Sequence, residues 1–470
     1  MSLNTSNTPL CNRRIMLQAL GLTVALPSMP AFADKNLARF SDGFVWGVAA
    51  SAPQTESRAG RGRSNWDTFA DTAGAIEDGS TNSLCTEFDQ RYPDDLALLA
   101  DAGIKAFRFS ISWPRIQPDG PGTPNVAGLA FYDRLVDAML ERGIAPWPTI
   151  FHWDVPVWAG DFRNREIAQH LADYAAIVAG KLGDRVHNWI VLNEPNSVAL
   201  QGYGTGVHAP GLRSAKAVFA AIHHQNLGQG LALQAMRAAL PAGRRIGTTI
   251  NVAPVRPEGD RVENEAAARL LDTMWNKAFL DPLYGKGYPS SLTPMLSSFV
   301  QGGDLAVIAT KPDFLGVNYY TRIYARAAGT AFGVTRGEPP ANLPRTAYFH
   351  VEPDGLIEVL MRLHDDYDAP DLFVTETGFA LDDPPPLDGV VEDRERIGYL
   401  ASYLSAAHAA QKQGARLKGL FYWSATDNWE WGKGFTKKFG LIHVDMISQK
   451  RTPKRSLAYY ANCIRHNAVT

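Results

Sequence analysis

The 470-residue chain carries 46 Lys and Arg against 48 Asp and Glu, a formal net charge of −2, with 45% hydrophobic and 20% charged residues. That balance describes a globular chain with material for a large core, and it excludes an electrostatic grip on nucleic acid or on an anionic membrane. Three cysteines, Cys11, Cys85 and Cys463, are too few for a disulfide framework, and no CxxC or His cluster has metal-ligand spacing, so neither metal nor cofactor is expected. Aromatics reach 10%, with 11 Trp; core filling explains most of them, and stacking on sugar rings or closing a deep pocket would explain the rest.

Residues 1–33 read as a signal rather than as part of the fold. Asn12-Arg13-Arg14 precedes a modest apolar run from Leu17 to Leu26, and Ala31-Phe32-Ala33 has the small-x-small form of a cleavage site. Paired arginines before a weakly hydrophobic stretch suit a twin-arginine-type signal, removed on export to the periplasm or the exterior. The apolar run is too short to span a bilayer, so no membrane partner is expected.

Residues 34–470 then read as a single catalytic domain. Short apolar segments at 44–50, 106–112, 145–151, 186–193, 245–252, 314–319, 372–376 and 417–424 predict strands. Between them, 92–102, 127–141, 165–182, 214–239 and 394–413 have apolar residues at helical spacing. Eight β/α units close as a (β/α)8 TIM barrel of the α/β class; a doubly wound open sheet is the rival, weakened by the lack of a Gly-rich phosphate loop after the first strand. Irregular stretches at 58–87, 326–349 and 381–393 predict elaborated βα loops on the C-terminal face, where such barrels build their sites.

Two strand ends carry a carboxylate. The fourth strand runs into Asn193-Glu194-Pro195, where Pro195 forces the chain out of the sheet. The seventh runs into Thr375-Glu376-Thr377-Gly378, where glycine permits a sharp turn. In a closed barrel both side chains share one rim. Such a pair suits acetal hydrolysis: retaining glycosidases hold the two carboxyls about 5 to 5.5 Å apart and inverting ones about 6.5 to 9.5 Å.

These motifs, with Phe44-Val45-Trp46-Gly47 and Gln54, Arg108-Phe109-Ser110-Ile111-Ser112-Trp113, Phe151-His152-Trp153-Asp154, Asn318-Tyr319-Tyr320, and Trp423 through Asp427-Asn428-Trp429-Glu430-Trp431, resemble family 1 glycoside hydrolases, the β-glucosidase family, in the same order and over nearly all of the mature chain. The resemblance implies a retaining exo-β-glycosidase. It makes Glu376 the nucleophile and Glu194 the acid/base, supported by Arg108, Asn193 and Tyr320. Gln54, His152, Trp153, Asn193, Asn318, Tyr320, Trp423, Glu430 and Trp431 would contact substrate. An indole under the apolar face of a sugar with acceptors along its polar edge is the complementary surface. The expected partner is a β-glycoside, small or oligosaccharide as in cellulose degradation; glucose, galactose and fucose stay open as the glycone, a homo-oligomer stays open as the assembly, and an idle sugar-binding barrel or a transglycosidase remains an alternative. Glu430 would repel a sugar 6-phosphate, which points to an unphosphorylated hexoside. Thr377 stands where the family usually has Asn, and Gln54-Thr55-Glu56-Ser57 where it has Gln-Ile-Glu-Gly; both departures are expected near the pocket.

Overall fold

Strands β1 (Val45–Ala49), β2 (Ala106–Ser110), β3 (Ala145–Phe151), β4 (Asn188–Asn193), β5 (Arg245–Asn251), β6 (Phe314–Asn318), β7 (Asp371–Thr377) and β8 (Leu417–Trp423) pair in parallel, each with the next, and β8 returns to β1 to close the ring. This computed structural model describes residues 37–470. The signal expected over 1–33, Cys11 included, lies outside them. Cys85 and Cys463 are free and buried.

Each strand is followed by a helix: α1 (Phe88–Asp101), α2 (Val126–Glu141), α3 (Glu166–Leu182), α4 (Ala215–Ala239), α5 (Val262–Asp272), α6 (Asp354–Tyr367), α7 (Arg394–Lys412) and α8 (Arg455–His466). The open-sheet alternative is thereby excluded. Among the described residues no helix is long and apolar enough to cross a membrane. One expected irregular stretch is partly ordered as sheet. Val334–Arg336 pairs with Ile323–Ala327, which also pairs with Val255–Pro257, giving a three-stranded flap beside the barrel mouth. Its strands are too short to show alternation in the sequence, which is why they read as loop.

The barrel interior is plugged by aromatic rings. Trp147 packs against Phe373, Phe421 and Phe314 with centroids 4.9, 5.1 and 5.4 Å apart. Glycines make that plug fit: a Cβ on Gly47 would lie 2.3 Å from the Phe421 ring, and one on Gly247 would lie 2.3 Å from Phe314. Close packing of this kind leaves no channel, so the space above the plug, at the C-terminal strand ends, is a blind cavity.

Candidate active site

Glu194 sits between β4 and a helical turn, Pro195–Ser197, that proline's fixed φ starts. To make that corner Glu194 itself adopts φ 47° and ψ 59°, a left-handed conformation that costs a non-glycine residue about 1 to 3 kcal/mol. Trp153 (φ 81°) and Trp431 (φ 51°) share the same strain. All three line one cavity of about 180 Å³, with Glu376 on the opposite wall.

The two glutamates have different partners. Glu376, one residue before the end of β7, takes the Arg108 guanidinium on Oε1 at 2.5 Å and the Tyr320 hydroxyl on Oε2 at 2.7 Å. Glu194 takes only neutral donors, the Asn318 amide on Oε1 at 2.7 Å and the Ser197 hydroxyl on Oε2 at 2.6 Å. An unbroken chain joins them: Arg108 also donates to Asn193 Oδ1 at 2.6 Å, and Asn318 Nδ2 donates to that oxygen at 3.0 Å as well as to Glu194. With Oδ1 so occupied, the Asn193 amide nitrogen is aimed at His152 Nε2, 2.9 Å away.

Burial is the largest influence on Glu376 and raises its carboxyl to about 7; Arg108 pulls it down, and the neighbouring Glu194 pushes it up. Glu376 is the one of the pair with a fixed cation, and Arg108 favours its ionised form against the effect of burial. Burial and Glu376 also keep the Tyr320 phenol neutral, a hydrogen-bond donor. Burial, then Arg108, holds His152 well below the usual imidazole range and therefore uncharged. Glu430 is raised to about 8 by burial and by Glu376, so near neutrality it can donate to one hydroxyl while accepting from another.

Aromatic rings form the rest of the inner wall. Trp423, at the end of β8, stacks on His152 with centroids 5.7 Å apart and the rings inclined by 27°, and Trp153 packs on Trp431 at 4.5 Å. His152, Trp153, Asn193, Tyr320, Trp423, Glu430 and Trp431 all border the cavity, as their positions in the sequence lead one to expect. Two residues expected to touch substrate stand behind its wall. Asn318 spends its amide on Asn193 and Glu194 and its carbonyl on the Thr375 hydroxyl, so it orients Glu194. Gln54 donates to Glu430 Oε2 at 3.2 Å and to the Trp429 carbonyl at 3.0 Å, so it positions Glu430.

Both departures from the family pattern point away from the cavity. The Thr377 hydroxyl meets the Tyr399 hydroxyl at 2.8 Å on the far side of β7. Ser57 bonds Asp89 through its N–H at 2.7 Å and its hydroxyl at 2.8 Å. Neither borders the sugar space, contrary to the expectation from sequence. Conversely, Ser197 escaped sequence reasoning although it lies three residues after Glu194, the spacing at which a helical turn returns a side chain. Gln201 and Trp275, on short helical turns, Arg336, on a flap strand, and His208, Tyr348 and Phe349, on loops, also line the cavity, all on segments too short to carry a periodic signal.

Residues 36–469 match the model of glycosyl hydrolase family 1. The chain belongs to that family. It is 37% identical over 449 residues to β-glucosidase A of Thermotoga maritima, covering 92% of this chain and 99% of that one. It is 40% identical over 462 residues to a bifunctional β-D-glucosidase/β-D-fucosidase of Bifidobacterium breve, again with 92% and 99% covered. The solved T. maritima β-glucosidase in complex with glucoimidazole superposes with a TM-score of 0.87 at 37% identity, covering 92% of this chain and all of that one. Family membership confirms the closed barrel.

Proposed function

We propose that this chain is a retaining exo-β-glycosidase acting on unphosphorylated β-glucosides. The observation that carries the proposal is the unequal treatment of two carboxyls in one blind cavity: Glu376 is held by a cation and a phenol, Glu194 by an amide and a hydroxyl. In the first step an oxygen of Glu376 bonds to the anomeric carbon as the carbon–aglycone bond breaks, and Glu194 gives its proton to the departing oxygen. Forming the ester removes the Glu376 charge, so Glu194 is then readily an ionised base. In the second step Glu194 takes a proton from water, the water oxygen bonds to the anomeric carbon, and the ester to Glu376 breaks. Two inversions leave a β-configured sugar. Tyr320 and Arg108 keep the attacking oxygen in place, Trp423 supports the sugar ring, and Glu430 reads its hydroxyls.

The relatives named β-glucosidase support glucose as the glycone, and the bifunctional B. breve protein supports tolerance of fucose. An idle sugar-binding barrel has no use for a buried Arg108–Glu376 pair, which is expensive to desolvate. The twin-arginine-like start supports export and work on oligosaccharides outside the cytoplasm. The test is turnover of a chromogenic aryl β-glucoside, with NMR of the first product: the β anomer is expected, and an α anomer or no turnover rejects the proposal.

A further inference from the structure

The cavity has a floor and a mouth with opposite charge. Glu194, Glu376 and Trp423 at the floor are 5, 4 and 3% exposed, whereas Tyr348, on the same lining, is 42% exposed and Arg336 is exposed beside it. A continuous aromatic wall runs between the two ends. Tyr320, which touches Glu376, packs on Phe349 at 5.4 Å, and Phe349 on Tyr348 at 6.0 Å. Trp275, with Ala253 and Ile323, forms a second apolar cluster on the same lining.

Two polar groups on this outer half lack the partners that buried or paired groups normally find. The Trp275 indole N–H is buried and has no hydrogen bond, and among the described residues the Arg336 guanidinium makes neither a hydrogen bond nor an ion pair, feeling Tyr348 and Glu338 only at longer range. Arg336 is the one arginine on the lining of this cavity among the described residues, whereas Arg322, next to the lining residues Thr321 and Ile323, is spent on Glu352 and Glu358. Arg336 is thus an exposed cation without a hydrogen bond on the lining of the cavity that holds the catalytic floor.

We propose that the outer half of the cavity is a subsite for an aromatic aglycone carrying a carboxylate, with Arg336 as its specificity-determining residue. The ring lies between the Phe349–Tyr348 wall and Trp275, and the carboxylate on its far edge takes the two-pronged donor of Arg336. The anionic Glu376 at the floor repels a second anion from the glycone position, so the charge favours the direction in which such a substrate enters. This inference rests on the β-glucosidase reading above and names the leaving group for it.

The test compares kcat/KM for 4-carboxyphenyl β-D-glucoside and for its methyl ester in the wild type, Arg336→Gln and Arg336→Lys. The ratio of acid to ester is expected to fall roughly tenfold in Arg336→Gln and less in Arg336→Lys, and to shrink in the wild type as salt rises. An unchanged ratio in Arg336→Gln overturns the proposal. Calorimetric binding of the acid to Glu376→Gln, with and without Arg336→Gln, separates the two levels: Arg336-dependent binding with no turnover of either substrate by the wild type keeps the subsite and rejects hydrolysis. Turnover of the ester with no Arg336-dependent binding of the acid does the reverse.

Discussion

At the floor of the cavity Glu376, Arg108, Asn193, Asn318 and Glu194 form a continuous hydrogen-bonded chain, whereas at the mouth the Arg336 guanidinium and the Trp275 N–H make no hydrogen bond among the described residues. The floor is held by strand ends β2, β4, β6 and β7, which the barrel fixes relative to one another; the mouth is held by a three-stranded flap and connecting loops. A site whose two carboxyls are already held by protein donors has its geometry set before substrate arrives, which is what chemistry demands. A surface with unspent donors completes its bonding only with a ligand, which is what selectivity demands.

The contrast breaks most severely at the glutamates. Glu376→Gln is expected to lower kcat on the order of 10⁶-fold, as loss of a nucleophile does. Glu194→Gln should cost about 10² to 10⁴-fold with an aglycone that leaves poorly and much less with one that leaves as a stable anion, because only the former needs the proton. Equal losses with both aglycones would mean that Glu194 is not the proton donor.

Arg108→Gln tests the electrostatic half of the floor. Arg108 lowers the Glu376 carboxyl against the effect of burial, so its removal raises that carboxyl and moves the acidic limb of the kcat/KM profile to higher pH, with a loss of about 10² to 10³-fold at neutrality. A loss without movement of the limb would make Arg108 a merely steric support.

Behind the floor, Lys454 is fully buried between Asp383 and Asp427 and ties the segment after β8, which carries Glu430, to the body of the barrel. Breaking a buried pair from one side costs about 3 to 5 kcal/mol, and Lys454→Met should lower stability by that amount in chemical denaturation. Burial alone would raise Asp427, yet Lys454 and His443 bring it down to about 2. The folded value is below the unfolded one of about 3.9. Its contribution is therefore complete above about pH 4 and disappears as pH falls toward 2. Wild-type stability should decline over that window, and Lys454→Met should flatten the decline.

The smallest effect is expected at Ser57. Because its polar atoms face Asp89 rather than the sugar space, Ser57→Gly should leave kcat/KM for a neutral aryl glucoside within about twofold. A large change in glycone preference would return it to the pocket wall.

The same contrast explains what could be read from the chain. All eight strands are buried apolar runs of the length a parallel barrel requires, and both glutamates stand where those runs stop, so the floor was legible from local pattern. Which way a side chain turns beyond a strand end was not. Asn318 and Gln54 lie in the right motifs but hold Glu194 and Glu430 instead of facing the cavity, since their outcome depends on long-range partners such as Thr375 and Trp429. Arg336 and Trp275 sit on segments with no period and no motif, and their significance comes from what they fail to contact, a property that no local spacing encodes.

The central claim, that the carboxyl paired with Arg108 is the one that bonds to sugar, is tested most directly by incubating the protein with a 2-deoxy-2-fluoro-β-glucoside bearing a good leaving group and mapping the modified peptide by mass spectrometry. A single fluoroglucosyl label on Glu376 is predicted. A label on Glu194, or hydrolysis with no covalent species at any time, would contradict the account.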